Sequence, residues 1–213
     1  MRALVVGAAW APGADAFYAR LAAEHDLVIA ADAAAERLLA VGAKPDLAVG
    51  DFDSALPGAI ERLKATGVRV RAFPTSKDAT DLDLAADATR AAGATSVTIT
   101  GAFRARLDHT LAALGTLGRL ADLSAVAVEP DLRMWVADGE ARPTLTLALV
   151  PGTVVSILAI GGAALGVTLR GFSYPLEDAR LEPVSGLGVS NVADAASQTV
   201  ALSAGTLLVV VSG

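Results

Sequence analysis

The chain has 213 residues, 54% of them apolar, which is enough for one large and one small domain. Its formal net charge is −6 and its basic residues are scattered singly, so the sequence offers no binding surface for nucleic acid or an anionic membrane. Because the chain contains no cysteine, disulfides and thiolate metal sites are excluded, and oxygen atoms remain as the expected metal ligands.

The first two thirds of the chain alternate short β-branched runs with alanine-rich stretches. This alternation predicts βα units around a parallel sheet. The predicted strands cover residues 3–6, 27–30, 47–49, 68–73, 96–100 and 125–128. The predicted helices cover residues 15–24, 33–41, 57–66, 80–92 and 108–121.

The pattern changes after residue 131, where strands bounded by Gly and Pro follow one another. They are predicted at residues 133–137, 144–149, 153–159, 166–169, 199–202 and 206–211. This series predicts a small antiparallel β-domain of sandwich or barrel type. With the boundary near residues 138–143, we expect a parallel-sheet α/β domain at 1–137 and a β-sandwich at 138–213.

The most apolar window, residues 154–169, is interrupted by serine, glycine and threonine. We interpret it as two strands and a turn, since a membrane span needs about 18 uninterrupted apolar residues. The residues from Met1 to Gly7 begin a strand pattern and lack the features of a secretory signal. We therefore expect a cytoplasmic protein that does not enter a membrane.

Asp51 and Asp53 follow the predicted strand at residues 47–49. The carboxyl ends of strands are where open α/β sheets bind their ligands. In an extended chain the two side chains would point to one side and hold one cation. The alternative is an ordinary loop in which these carboxylates accept hydrogen bonds from backbone amides.

A second acidic window contains Lys77, Asp78, Asp81 and Asp83. Thr80 or Asp78 can cap the helix that begins near Asp81, which accounts for one acidic residue but not for all of them. An ammonium group among carboxylates suits phosphate oxygens better than a helix N-terminus. The two windows together predict a site for metal and phosphate, with Asp83 left in solvent.

A third polar window, Arg106-Leu107-Asp108-His109, follows the predicted strand at residues 96–100. Arg106 suits phosphate or a carboxylate, and Asp108 suits either a helix cap or a ligand amine. For His109 a local hydrogen bond is the favoured interpretation, since nothing in the sequence completes a triad with it.

These motifs resemble those of the thiamine pyrophosphokinase family, in order and approximate spacing. The resemblance rests on Asp32-Ala33-Ala34, residues 45–54, Lys77-Asp78-Ala79-Thr80-Asp81 and Arg106-Leu107-Asp108-His109. It continues into the β-domain at Gly171-Phe172-Ser173-Tyr174-Pro175-Leu176 and Val189-Ser190-Asn191, which are similar to the family's thiamine-binding segments.

The resemblance implies that a pyrophosphoryl group passes from ATP to thiamine, giving thiamine diphosphate and AMP. It also implies a homodimer that holds thiamine between its subunits. By resemblance, Mg²⁺ is bound by Asp51, Asp53 and Asp81. The triphosphate is held by Lys77 and Arg106, with Asp32, Ser54 and Asp78 beside the ATP. Thiamine is bound by Asp108, Tyr174, Ser190 and Asn191.

The sequence departs from the family's pattern at two places where the family has glycine. Ala33 and Ala34 stand where the family has Gly-Gly, and Ala102 begins a segment that is glycine-rich in the family. Alanine at such places is expected to narrow the approach to the nucleotide or to strain the turn.

Several other functions compete with thiamine diphosphokinase. A pyrophosphokinase acting on a hydroxymethylpterin would share the metal site, and a non-catalytic nucleotide- or thiamine-binding protein would suit the lost glycines. A glycosyltransferase would use Asp51 and Asp53 but not the window from Lys77 to Asp81. A dinucleotide oxidoreductase is disfavoured, because the first strand is not followed by Gly-x-Gly-x-x-Gly.

Overall fold

A computed structural model of the protein describes residues 1–104, 106–183 and 185–213, and the chain divides into two compact units. Unit 1 comprises Met1–Thr116 and Val128–Pro130, and unit 2 comprises Leu117–Ala127 and Asp131–Gly213. The domains predicted from the sequence, 1–137 and 138–213, are segments expected to fold on their own. Compact units do not test independent folding, so these domains stay a prediction.

Unit 1 alternates strands and helices in the predicted order. Its elements are β1 (Arg2–Val6), α1 (Asp15–Ala23), β2 (Leu27–Ala31), α2 (Ala34–Ala40), β3 (Leu47–Gly50), α3 (Ala59–Ala65), β4 (Arg69–Ala72), α4 (Asp81–Ala91), β5 (Ser96–Thr100) and most of α5 (Leu107–Arg119).

The five strands of unit 1 form a parallel sheet in the order β4-β3-β2-β1-β5. The central strands are almost continuously apolar, as expected for strands covered on both faces. Tyr18, Leu38 and Leu63, from α1, α2 and α3, are fully buried in one cluster with residues of β1 and β2. Burying a side chain of this size stabilises the fold by roughly 1.5–3 kcal/mol.

Unit 2 consists mainly of antiparallel strands. Its elements are a 3₁₀ helix (Ala121–Leu123), the first half of β6 (Val126–Glu129), β7 (Leu132–Asp138), β8 (Thr144–Leu147), β9 (Val154–Arg170), β10 (Leu176–Leu181), β11 (Asn191–Val192), β12 (Gln198–Ala201) and β13 (Ala204–Ser212).

β9 pairs with several strands of unit 2. β13 pairs with its earlier part, where Ile157 faces Val209, and β12 with its end, where Leu169 faces Val200. Gly161, inside the strand, has φ of 73°, a backbone conformation that favours glycine. The predicted turn within residues 154–169 is therefore wrong, since this window is one continuous strand.

The predicted class, a parallel α/β part followed by antiparallel strands, is confirmed. Among the described residues, the helices are too short or too polar to span a bilayer.

Candidate active site

A cavity of about 570 Å³ lies in unit 1, where the chain leaves the carboxyl ends of β1, β2, β3 and β5. Its walls include six of the predicted site residues: Asp32, Asp53, Ser54, Lys77, Asp81 and Arg106. Their meeting at one sheet edge follows from the parallel arrangement, which places every strand's carboxyl end on the same side.

The loops after β1 and β5 touch through their backbones. A Cβ atom on Gly7 would lie only 2.5 Å from the carbonyl oxygen of Gly101, so glycine is required for this approach. The amide of Ala9 donates to that same oxygen at 2.7 Å. The point lies between β1 and β5, where the strand order reverses and α/β sheets form their ligand crevice.

Lys77 joins two of the predicted aspartates. Its Nζ donates to Asp51 Oδ2 and lies 3.0 Å from Asp81 Oδ1, and its side chain is only 13% exposed. The hydrogen bond from Lys77 holds the pKa of Asp51 below its usual value. Burial works to lower the pKa of Lys77, but its bonds to the two carboxylates outweigh burial and raise it. Lys77 and Asp51 therefore each favour the charged form of the other.

Asp81 stands at the first position of α4. Burial raises its pKa, and the neighbouring charges of Asp51 and Asp32 add to the rise, whereas Lys77 opposes it. Its Oδ1 is buried and lies 3.0 Å from the Lys77 ammonium. A cation in the cavity would have to share this oxygen with Lys77 or displace the lysine.

Asp32 is buried and adopts a left-handed backbone conformation with φ of 50°. Ser54 Oγ donates to its Oδ2, and its Oδ1 is buried without a hydrogen-bond partner. A Cβ on Gly50 would lie 3.1 Å from the Asp32 Cα, so the end of β3 lies directly against this residue. An unusual backbone angle and an unpaired buried oxygen in one residue are typical of a ligand site.

The alanines after Asp32 cause no strain. Ala33 has φ of −60° and ψ of −15°, and Ala34 is the first residue of α2. The left-handed angle falls on Asp32, so the strain expected from replacing Gly-Gly is absent. At the second departure, Ala102 lines the cavity while Ala105 lies outside the described residues.

Asp51 and Asp53 do not point to one side, because the chain between them is not extended. Phe52 has φ of 59°, and the amide of Asp53 donates to Asp51 Oδ1 at 3.2 Å. The walls of the cavity include Asp53 but not Asp51, which turns to Lys77. The i, i+2 spacing therefore does not align the two carboxylates, and Asp51 combines a hydrogen bond from the backbone with an ion pair.

A complete three-ligand metal site is not preformed. Among residues 1–104, 106–183 and 185–213, no three acidic, histidine or cysteine side chains gather closely enough to hold an ion alone. Mg²⁺ usually takes one or two carboxylates and completes its shell with water and substrate phosphates. The ligand set Asp51, Asp53 and Asp81 stays a prediction.

Asp83 is not left in solvent as expected. Thr80 caps α4 by accepting from the Asp83 amide at 3.1 Å, and the Asp83 carboxylate accepts from the Thr80 amide at 3.0 Å. Thr116 Oγ1, on α5, also donates to this carboxylate. Asp83 thus fixes the start of the helix that carries Asp81.

The third polar window is exposed. Arg106 Nη2 donates to Asp108 Oδ2 at 2.5 Å, and the amide of His109 donates to Asp108 Oδ1 at 2.9 Å. The bond from Arg106 lowers the pKa of Asp108. Arg106 and His109 line the cavity, whereas Asp108 does not, and Asp78 is exposed outside it.

A second cavity, of about 410 Å³, lies in unit 2 and is lined by Tyr174, Leu176 and residues 186–191. Tyr174 is 67% exposed. Asn191 is 2% exposed, and its side chain accepts from the Tyr174 amide at 3.0 Å and donates to the Tyr174 carbonyl at 2.7 Å. Asn191 therefore holds the backbone of Tyr174, and the thiamine contact predicted for Asn191 stays a prediction.

Sequence reasoning missed Glu129 and Tyr18, which lie behind the cavity wall. Tyr18 donates to Glu129 Oε2 at 2.9 Å, and both side chains are buried. Burial raises the pKa of Glu129, and it raises the pKa of Tyr18 to about 12. A glutamate ending the apolar strand Val126–Glu129 was the available signal.

Fold and cavity together define an α/β protein with an acidic, lysine-containing cavity at the carboxyl edge of its parallel sheet, accompanied by an antiparallel β-unit. Two family models match the chain: "Thiamin pyrophosphokinase, catalytic domain" over residues 18–128 and "Thiamin pyrophosphokinase, vitamin B1 binding domain" over residues 144–207. The chain belongs to the thiamin pyrophosphokinase family.

Relatives agree with this assignment. A thiamine pyrophosphokinase from Bacillus subtilis is 26% identical over 197 residues, which cover 88% of this chain and 87% of the relative. The crystal structure of thiamin pyrophosphokinase from Geobacillus thermodenitrificans is similar with a TM-score of 0.81 and 27% identity, covering 100% of this chain and 98% of that one. The yeast structure, at 16% identity and a TM-score of 0.77, covers 100% and 86% and supports the fold. The predicted family and the predicted activity of a thiamine diphosphokinase are confirmed.

Proposed function

We propose that the protein transfers a pyrophosphoryl group from Mg²⁺-bound ATP to thiamine at the cavity of unit 1. The observation that carries this assignment of the site is the meeting of Asp32, Asp53, Lys77 and Asp81 in one cavity at the carboxyl edge of the sheet. ATP is the co-substrate of this family, and a cavity wall with both acidic and basic side chains can bind a metal-bound polyphosphate.

The residues present fit Mg²⁺. The donors are carboxylate oxygens, which this hard cation prefers, and one of them, Asp32 Oδ1, is buried without a hydrogen bond. We propose Asp53 and Asp81 as direct ligands. Asp51 would become a ligand after the ion replaces Lys77 as its partner. When bound, the ion neutralises charge on the polyphosphate.

Lys77 and Arg106 hold the phosphate chain in this proposal. Lys77 is fixed by two carboxylates, so its ammonium is already in place before ATP arrives. Arg106 is exposed and has a planar guanidinium that pairs readily with phosphate oxygens. Asp32, Ser54 and Asp78 are proposed to lie beside the nucleotide.

The reaction forms a bond between the hydroxyl oxygen of thiamine and the β-phosphorus of ATP. The bond from that phosphorus to the oxygen bridging it to the α-phosphorus breaks, AMP leaves, and the hydroxyl proton is released. Positioning of the two reactants and charge stabilisation supply most of the acceleration in phosphoryl transfer. No described residue needs to act as a strong base.

We propose a homodimer in which thiamine lies at the subunit interface, with Tyr174 stacking on it, Ser190 bonding to it and Asp108 meeting its aminopyrimidine. Support comes from Tyr174, a large aromatic side chain that is 67% exposed beside the cavity of unit 2. Aromatic residues with this exposure are enriched at binding surfaces. The cytoplasmic location stays a prediction.

An assay with Mg²⁺, ATP and thiamine tests the function directly. We expect equimolar AMP and thiamine diphosphate, and no product without divalent cation. Product formation with a hydroxymethylpterin as acceptor, but not with thiamine, would favour the related pyrophosphokinase. Nucleotide binding without any product would favour the binding protein.

Mixing two impaired variants tests the shared site. Asp53→Asn lowers kcat and Tyr174→Ala weakens thiamine binding, so both variants are assayed at a thiamine concentration well below the KM of the Tyr174→Ala variant. Heterodimers of the two contain one site with both residues intact only when each site combines two subunits. Recovered activity after mixing supports the interface site, and no recovery places Asp53 and Tyr174 of one site in the same subunit.

A further inference from the structure

Glu129 is a buried carboxylate that the proposed chemistry does not use. It ends β6, belongs to unit 1 and is 4% exposed. Its Oε1 accepts from the amide of Ala102 at 3.2 Å, and its Oε2 accepts from the Tyr18 hydroxyl at 2.9 Å. Burying such a group is costly, so a role that requires it is expected.

Tyr18 links Glu129 to a second loop, at residues 7–11. Its hydroxyl accepts from the amide of Ala11 at 2.8 Å, while its ring stacks on Trp10 with 4.2 Å between ring centroids. Trp10 in turn donates from Nε1 to the carbonyl of Gly7 at 2.8 Å. The hydroxyl and the ring of Tyr18 thus both support the loop at residues 7–11.

These bonds hold the two loops that form one wall of the cavity. Gly7, Ala8 and Ala9 line it from the loop after β1, and Gly101 and Ala102 line it from the loop after β5. The glycines and alanines have no side chains long enough to anchor these loops, so the position of the wall depends on backbone hydrogen bonds and on Trp10. Glu129 supplies an acceptor for one loop directly and reaches the other through Tyr18.

We propose that Glu129 and Tyr18 are a pair of positioning residues that set the spacing of the loops at residues 7–11 and 101–102 and so shape the nucleotide-facing wall of the cavity. That the ligand of this wall is ATP rests on the proposed function. The pair touches no reacting atom; it acts through the backbone at the point where the strand order reverses.

A glutamine cannot replace Glu129 without losing a bond. If its amide oxygen accepts from Ala102, its amino group faces the Tyr18 hydroxyl, which must then accept from two donors and leave its own hydrogen unpaired. In the opposite orientation the amino group faces the donor of Ala102. Tyr18→Phe is the complementary change, because it keeps the ring on Trp10 and removes only the hydroxyl.

The test compares wild type with Glu129→Gln and Tyr18→Phe, using Leu145→Val, a buried position in the separate core cluster of unit 2, as a control. Hydrogen exchange, followed in peptides that cover residues 7–11 and 100–104, reports on the loops. Steady-state kinetics separate the KM for ATP from kcat and from the KM for thiamine. Loss of a buried hydrogen bond predicts a KM for ATP about tenfold higher in both variants.

We expect faster exchange in both loops, a raised KM for ATP and a nearly unchanged KM for thiamine in both variants. The double variant should be little worse than either single one, because both act through one network. Unchanged loop exchange, or equal effects in Leu145→Val, would overturn the proposal. Wild type that forms no thiamine diphosphate would instead refute the proposed function, and loop exchange would still decide the positioning role.

Discussion

Lys77 and Asp81 form an ion pair of 3.0 Å across the start of α4, with Asp81 as the first residue of the helix. Both side chains are largely removed from water, and Asp51 contacts the same ammonium. Two carboxylates close together need a nearby cation to remain charged. The lysine meets this need in the free protein, and a metal–phosphate complex has to share or replace it.

Asp53→Asn is expected to reduce kcat by at least roughly a hundredfold, because it removes a proposed metal ligand and the charge that stabilises the transition state. Asp53 is exposed, so the melting temperature should stay close to that of wild type. Asp87→Asn, an exposed position on α4, is the control. Full activity of Asp53→Asn would remove Asp53 from the metal site.

Lys77→Met should lower the free energy of unfolding in Mg²⁺-free buffer by about 1–3 kcal/mol, since Asp51 and Asp81 lose their partner. Added Mg²⁺ should stabilise the variant more than wild type. Denaturant titrations with and without the ion measure this, and exposed Lys64→Met is the control. Equal responses to Mg²⁺ would contradict the proposed exchange between lysine and metal.

Asp83→Ala should cost about 1–3 kcal/mol of stability, because it removes the capping box of α4 and the partner of Thr116. The KM for ATP should rise as well, since the start of α4 carries Asp81. Chemical denaturation and kinetics measure both effects. Asp87→Ala, on the exposed face of the same helix, should change neither, and a similar loss in both variants would refute the capping role.

Tyr174→Ala should raise the KM for thiamine about tenfold or more through loss of aromatic stacking, and should leave the KM for ATP unchanged. Tyr174→Phe keeps the ring and should retain most of the affinity. Stability should be unaffected, as the side chain is exposed. A change confined to the KM for ATP would place thiamine elsewhere.

Stability should fall in alkaline solution because of Tyr18. Its pKa is about 12 in the folded protein against 10.0 for the free side chain. The unfolded chain therefore releases this proton first, so the stabilisation is complete below about pH 10 and is lost as the pH rises toward 12. The shift amounts to roughly 2–3 kcal/mol.

Unfolding titrations between about pH 9 and 12 test this. The decline should be shallower in Tyr18→Phe than in wild type. Tyr174→Phe, which changes the exposed tyrosine, should retain the wild-type slope. If the free energy of unfolding falls equally with pH in all three proteins, folding does not raise the pKa of Tyr18.

Strong local signals made much of unit 1 predictable. Apolar runs located β5 at residues 96–100 as predicted, and the parallel arrangement brought Asp32, Asp53 and Asp81 to one edge. The pattern Thr80-x-x-Asp83 is a readable capping signal, so the expectation of a solvated Asp83 overlooked local information.

Other features depend on tertiary structure. The role of Glu129 comes from partners 27 and 111 residues away, and no local pattern identifies them. The glycines of β9 were interpreted as a turn, because the pairing that continues the strand through them comes from partner strands distant in the sequence. The positive φ of Phe52, between Asp51 and Asp53, was likewise not predictable from the alternation of side chains along an extended strand.

The length of β9 has a consequence for how unit 2 comes apart. A strand that is hydrogen-bonded to different partners along its length cannot separate from β13 without disturbing its pairing with β12. Local openings at either partner are therefore coupled through its backbone, and exchange-protected amides along residues 156–169 should lose protection together. The cavity beside Tyr174 would then be lost in a single event, not by gradual fraying.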